Sequence, residues 1–219
     1  KMLYDNVQLA PLYLDAFVVT GDPLYRDVAA ATFDYLLREM THPEGGFYST
    51  QDADTEGEEG KTYLWRIEEI RSLVDEETAD MLCRYYQVDE AGNFAEPGQR
   101  ERKSILNVKL TRDELARLFG RERSDVDAIL ERGRRTLLDA RSRRAQPGLD
   151  DKILTSWNAL AIRAFVRGAA VLDDPKLLDA AVRCAAFIAK FSTRDDGRLL
   201  RTWKDGVARY PAYLDDHAF

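Results

Sequence analysis

A run of helix length that is apolar on nearly every side, followed at once by one that is apolar on a single side, occurs twice in this chain, 152 residues apart. Residues 2–20 carry Leu3, Val7, Leu9, Leu12, Leu14, Phe17, Val18 and Val19, which cover every face of a 3.6-residue helix and predict burial all round. Gly21 ends the run as a C′ residue, and Asp22-Pro23 opens the next. Residues 24–40 then place Tyr25, Val28, Ala29, Phe33, Leu36, Leu37 and Met40 on one stripe, opposite Arg26, Asp27, Asp34, Arg38 and Glu39. Residues 155–172 and 176–191 repeat the pattern, with Asp174-Pro175 between them. Asn6 aligns with Asn158, Pro23 with Pro175 and Leu36 with Ile188, without a gap. An inner helix followed by an outer one, repeated, is the signature of an array of helical hairpins.

The array has more members. A third inner-helix start is expected at Tyr213-Leu214-Asp215-Asp216-His217-Ala218-Phe219, with Asp216 in the place of Asn158. Between the two clear copies, a further hairpin is expected over 75–143, from a short helix near 75–86 and a longer one near 123–143. A capped helix starts at Thr111, with Glu114 three residues on. Residues 104–108 read as a short strand, and 46–49 and 62–65 as two β-like segments flanking a long acidic loop. The fold class is therefore mainly α, with short β-hairpin insertions, and 1–219 reads as a fragment of one domain. Its hairpins are placed at about 2–41, 75–143 and 155–192, with the next starting at 213. A broken array is expected to expose Leu3, Val7, Trp157 and Phe165, and to associate through them.

Composition excludes several classes. The chain is 45% hydrophobic and carries 39 acidic against 32 basic side chains, ordinary for a globular protein. No apolar stretch reaches the ~18 residues of a bilayer span, so no membrane partner is expected. Residues 100–144 hold 14 basic and 8 acidic side chains, but their arginines alternate with leucines at helical spacing, as on a solvated helix face. With an acidic whole and no nucleic-acid motif, no nucleic acid is expected either. Cys83 and Cys184 fit neither a disulfide framework nor a zinc pattern, and buried thiols in a cytoplasmic protein are the expectation.

If the inner helices are parallel, their N-termini meet at one end, and so do Tyr4, Asp5, Asn6, Trp157, Asn158, Asp215, Asp216 and His217. Orphan N–H groups at such an end favour anions or hydroxyl oxygens. Aromatic faces beside carboxylates and amides suit sugar rings. Helix capping explains any one of these residues, and explains three matched sets less well. The acidic stretch 51–60 adds Gln51, Asp52 and Asp54 as rim candidates. Its Asp52-x-Asp54-x-Glu56-Gly57 start is like a calcium loop, but position twelve is Tyr63 in place of a bidentate Glu, so no metal site is assigned. Asp151, beside Asp150 at the start of the second inner helix, completes the set.

These residues resemble a known family. Lys1-Met2-Leu3-Tyr4-Asp5-Asn6, the stretch from Gly45-Gly46-Phe47-Tyr48-Ser49 through Gln51-Asp52-Ala53-Asp54-Thr55-Glu56-Gly57 to Lys61, Gly92-Asn93-Phe94, the run from Leu149-Asp150-Asp151-Lys152 to Trp157-Asn158, and the final Tyr213 to Phe219 are similar to the YyaL-like thioredoxin-domain-containing proteins, whose animal members are spermatogenesis-associated thioredoxin-like proteins. The resemblance implies a partial (α/α)6 toroid of the six-hairpin glycosidase type, related in fold to sugar epimerases and unsaturated-glucuronide hydrolases. It also implies a thioredoxin-like domain elsewhere in the full-length chain. The family brings no settled activity.

The expected function is a carbohydrate-active or carbohydrate-binding toroid with a small sugar or saccharide as partner and no cofactor. Glycoside hydrolysis needs two carboxyl groups, one kept protonated. The candidates are Asp216, Asp5 and Asp151, with His217 alongside. Tyr4, Asn6, Gln51, Asp52, Asp54, Trp157, Asn158 and Asp215 are the candidate substrate contacts. The alternatives are a non-catalytic scaffold attached to the redox domain and, with less support, a sugar epimerase. Epimerisation uses two bases near neutral pKa, and this chain offers only His42 and His217.

Overall fold

A computed structural model describes residues 1–94 and 102–219. In chain order the helices are α1 (Leu3–Thr20), α2 (Pro23–Glu39), α3 (Ile67–Leu73), α4 (Glu76–Tyr86), α5 (Arg112–Phe119), α6 (Arg123–Ser142), α7 (Thr155–Leu172), α8 (Pro175–Phe191) and α9 (Leu214–Ala218). The strands are short: β1 (Thr50–Gln51), β2 (Asp54–Thr55), β3 (Glu58–Glu59), β4 (Leu149–Asp150), β5 (Ile153–Leu154), β6 (Leu200–Lys204) and β7 (Val207–Pro211). The chain divides into two compact units, one formed by Lys1–Asp52 with Gly148–Phe219 and the other by Ala53–Pro147.

The first unit is the repeat. Asp22 accepts the Leu24 N–H at 2.9 Å to start α2, and Asp174 accepts the Lys176 N–H at 3.0 Å to start α8, each followed by proline at the first helical position. Gly21 and Asp173, at φ 71° and 53°, turn the preceding inner helices through the left-handed region. α1 and α7 run side by side and parallel. The Tyr4 and Trp157 rings lie 4.8 Å apart near one end, and Asp15 pairs with Arg167 at 2.8 Å near the other. Leu3, Val7, Ala10 and Leu14 of α1 share a core with Phe33 and Leu36 of α2, Ala164 and Phe165 of α7, and Cys184 of α8. Gly168 lets that core close: a Cβ there would lie 2.7 Å from the Phe33 ring.

Behind each outer helix the chain crosses back as a strap. Phe47, in the first strap, stacks on Phe165 at 4.8 Å. Antiparallel β1 and β4 set Thr50 opposite Asp150, and β5, β6 and β7 form an antiparallel sheet with Ile153 opposite Trp203. The unit is mainly α, with two inner–outer hairpins and the first turn of a third inner helix, the arrangement of a partial (α/α) toroid.

The second unit holds α3 to α6 around Trp65, Ile70, Met81, Leu82, Leu115, Val126 and Leu130. α4 and α5 start where the sequence predicts: Asp75 accepts the Thr78 N–H at 2.9 Å, and Thr111 with Glu114 forms a reciprocal capping box. The expected helices near 75–86 and 123–143 are both here.

Three expectations change. Residues 62–65 are not a strand: 61–63 form a 3-10 turn, and Trp65 makes one isolated bridge to Ser104, the only β-pairing in 104–108. The hairpin of the acidic loop is instead β2–β3, closed by Glu56-Gly57, both at positive φ. Finally, α1 is not buried all round. Leu3, Val7 and Phe165 are buried, while Leu9, Leu12, Val18 and Val19 face outward.

Candidate functional site

The N-terminal ends of α1, α7 and α9 meet in the first unit, and the predicted residues divide there into three groups. Asn158 belongs to the interior. It is 0% exposed, its Oδ1 accepts the Phe47 N–H at 2.7 Å, and its Nδ2 donates to Phe47 O at 3.0 Å and Leu154 O at 2.9 Å. The Cys184 thiol lies 3.3 Å from the same Oδ1. The side chain therefore completes the backbone of the strap, and its expected role as a substrate contact is corrected. Gln51 is corrected likewise: it is 5% exposed, and its Oε1 accepts from Tyr35 Oη at 3.0 Å and Lys1 Nζ at 3.2 Å.

Asp216 is the second case. Its carboxylate is fully buried and accepts from Ser156 N–H at 3.0 Å, Tyr213 N–H at 2.8 Å and Arg201 Nη1 at 3.0 Å. All three partners are donors, so the geometry uses it as an acceptor that ties α9 to α7. Asp216 is the third residue of α9, as Asp5 is of α1 and Trp157 of α7. The position equivalent to Asn158 is therefore His217, one residue beyond the match expected from sequence. Asp215, half-buried, shares Arg201 at 3.2 Å, and the Arg201 guanidinium lies 4.6 Å from the Tyr213 ring centre.

Asp151 pairs with Lys204 at 2.6 Å. The Lys204 hydrogen bond holds its carboxyl below the usual range, and the same contact raises the lysine. Such a carboxylate is poorly suited to donate a proton at neutral pH. Arg201 and Lys204, which organise these acids, went unread; both sit on β6, whose Asp205-Gly206 turn to β7 is the sequence signal that points to the strand.

The third group faces solvent. Tyr4 and Trp157 are half-buried, Asp5 and His217 are exposed, and Asn6 is half-buried with its Nδ2 on Met2 O at 2.7 Å. Asp52 is an exposed residue of this unit. His42, the other histidine, is packed edge-on against Tyr48, Phe187 and Trp203 at 5.7, 5.5 and 5.0 Å.

Asp54 lies in the second unit, exposed on β2. That unit holds a cavity of about 800 Å³ lined by Thr55, Glu56, Lys61, Leu64, Lys103 and Arg144 among others. Several charges there are paired: Glu58 takes Lys61 at 2.6 Å and Lys103 at 3.3 Å, which lowers its carboxyl, while Arg144 donates to Thr62 O, Leu64 O and Glu69 and lies 3.9 Å from the Trp65 ring centre. Among the described residues, no group of three or more His, Cys, Asp or Glu is placed to hold a metal ion, and no helix is long and apolar enough to cross a membrane.

Over its whole length the chain is 34% identical to human spermatogenesis-associated protein 20 and 33% identical to the mouse protein. The whole of this chain is thus similar to one segment of these spermatogenesis-associated proteins. An uncharacterized Caenorhabditis elegans protein is 30% identical over 246 residues. The chain spans about a third of these relatives, 31% of the human protein and 34% of the nematode one. No protein-family model matches it. Among solved structures it is similar to a D-mannose isomerase, at 11% identity with a TM-score of 0.30 over 96% of this chain and 46% of that one. Cellobiose 2-epimerase from Spirochaeta thermophila gives 14% identity and a TM-score of 0.29, over 100% of this chain and 68% of that one.

Proposed function

We propose that the first unit binds a saccharide at the N-terminal end of its inner helices. The observation that carries this reading is the half-exposed Tyr4–Trp157 pair, 4.8 Å between ring centres, with Asn6 and His217 on the adjoining turns. An aromatic face accepts the C–H side of a pyranose while nearby amide and imidazole groups meet its hydroxyls.

The carboxylates support binding over hydrolysis. A retaining or inverting hydrolase needs one carboxyl held protonated. Asp216 is enclosed by donors, Asp215 shares Arg201 with it, and Asp151 is held low by Lys204. Epimerisation has less support, since His42 is packed among aromatic rings and leaves His217 alone. The reading is therefore a saccharide-binding domain that accompanies a thioredoxin-like redox domain in the longer polypeptide.

Trp157 supplies the test, because Trp65 and Trp203 are buried at 2% and 8% exposure. Neutral sugars, uronates, amino sugars and sugar phosphates are titrated while emission and melting temperature are followed. A ligand at 100 times its Kd adds about 2.7 kcal/mol. One sugar class is expected to change Trp157 emission and raise the melting temperature, with the emission change absent in Trp157→Phe. Silence across the panel would refute the reading.

A further inference from the structure

The charges that line the cavity of the second unit are sorted by exposure. Its most enclosed charged side chains are cations: Lys103 and Arg144 are 15 and 20% exposed. The carboxylates on the lining stand further out, Glu69 at 45% and Glu56 at 61%, with Glu68 exposed as well. Arg66 is exposed with them, and Lys61 is intermediate. Glu58 joins Lys61 to Lys103 without itself lining the cavity. The interior is therefore rich in donors, and the acids keep to the rim.

These cations are fixed in place, and their donors are not all spent. The backbones of Trp65 and Ser104 pair in both directions, at 2.9 and 2.7 Å, which sets Lys103 beside the turn that carries Lys61. Arg144 rests on the Trp65 ring and uses three of its five N–H groups, on Thr62 O, Leu64 O and Glu69. Glu56 and Glu58 take two of the three on Lys61. Partly enclosed cations with donors to spare are where a charge-assisted hydrogen bond gains most. Leu64, buried, adds an apolar wall, and about 800 Å³ is the size of a small-molecule site, more than a bare ion fills.

We propose that this cavity binds a small organic anion, whose single phosphate or carboxylate end meets Lys61, Lys103 and Arg144 and whose body lies toward Leu64. Phosphate and carboxylate share what these donors recognise, oxygen atoms that carry negative charge. The acids of the rim repel a second negative charge, which disfavours extended polyanions such as nucleic acid. The site lies wholly within Ala53–Pro147 and stands apart from the saccharide reading, which concerns the first unit.

Phenyl phosphate, phenylacetate and the uncharged benzyl alcohol are titrated calorimetrically into the full-length polypeptide at constant ionic strength. At least one of the two anions is expected to bind, and which one tells phosphate from carboxylate. Lys103→Met is expected to weaken that binding about tenfold or more, the scale of one hydrogen bond to a charged group. Lys109→Met, which removes an exposed lysine of the same unit away from the cavity, leaves it unchanged. If Lys103→Met fails to fold, Lys61→Met replaces it with the same expectation. Failure of both anions to bind at millimolar concentration would overturn the proposal, as would benzyl alcohol binding equally well or Lys103→Met binding like wild type. Trp157→Phe is expected to keep the anion; its loss there would put the binding in the first unit and overturn the proposal too.

Discussion

Replacing Asn158 by alanine separates a structural side chain from a ligand contact. The substitution leaves the Phe47 N–H and C=O without the partners now at 2.7 and 3.0 Å, in a place where Phe47 is 0% exposed and water has no access. Each orphaned buried backbone group costs about 1–3 kcal/mol, so the pair costs about 2–6 kcal/mol. The bond to Leu154 O adds little, since that carbonyl is four residues back and keeps its helical partner. At about 4 kcal/mol the melting temperature falls by roughly 8–16 °C for a chain of this size. Asn6→Ala is the internal control. It has the same place in the repeat and the same bond to the carbonyl four back, at 2.7 Å, but no strap to complete, and a change within about 0.5 kcal/mol is expected. Urea unfolding of both variants, with slopes compared to check that the same surface is exposed, gives the two values. If Asn158→Ala costs no more than Asn6→Ala, the strap is not held by this side chain and the reasoning fails.

Other expectations follow from single contacts. Burial pushes the Cys184 thiol up to about 12, so its contribution is intact below pH 9 and is lost as pH rises from there toward 12; alkaline unfolding midpoints of wild type and Cys184→Ala should converge over that window. Below pH 9 neither Cys184 nor Cys83 should react with a disulfide reagent before the chain unfolds, as burial raises both. Gly168→Ala forces a methyl to 2.7 Å from Phe33 and should cost about 1–3 kcal/mol, whereas Gly206→Ala meets no atom within 4 Å and pays only for its φ of 78°. The Asp151 carboxyl, lowered by Lys204, stabilises above the ordinary aspartate range and loses that contribution as pH falls through its folded value. In Lys204→Met its carbon-13 titration should move up toward 3.8, and an unchanged midpoint would remove the pair from the account.

The repeat was legible because helix periodicity and capping chemistry are local. Asp22-Pro23 and Asp174-Pro175 start helices wherever they stand, and α1, α2, α7 and α8 begin and end within a residue of expectation. The division into two units was not legible, since it depends on which contacts close. α3 was missed because its seven residues hold only two buried ones, Ile67 and Ile70, too few for a period. β5 escaped because its partner strand is distant, Ile153 lying opposite Trp203 50 residues on, whereas β6 and β7 form a local hairpin whose Asp205-Gly206 turn, both residues at positive φ, is a signal the sequence does carry. The site shows the same limit in a sharper form. Asp5 and Asp216 hold one position in the repeat, yet Asp216 is enclosed by three donors and Asp5 stands in solvent. Asn6 and Asn158 each reach the carbonyl four residues back, yet only Asn158 has a strap across it. The residue type states what a side chain is able to bond, and the neighbouring hairpin decides whether that capacity is spent on the fold. A carboxylate or amide at the start of a repeated inner helix therefore counts as a site residue only after its neighbour's backbone has been accounted for. By that measure Trp157 and Tyr4, whose faces the fold leaves half open, are better candidates than the acids beside them.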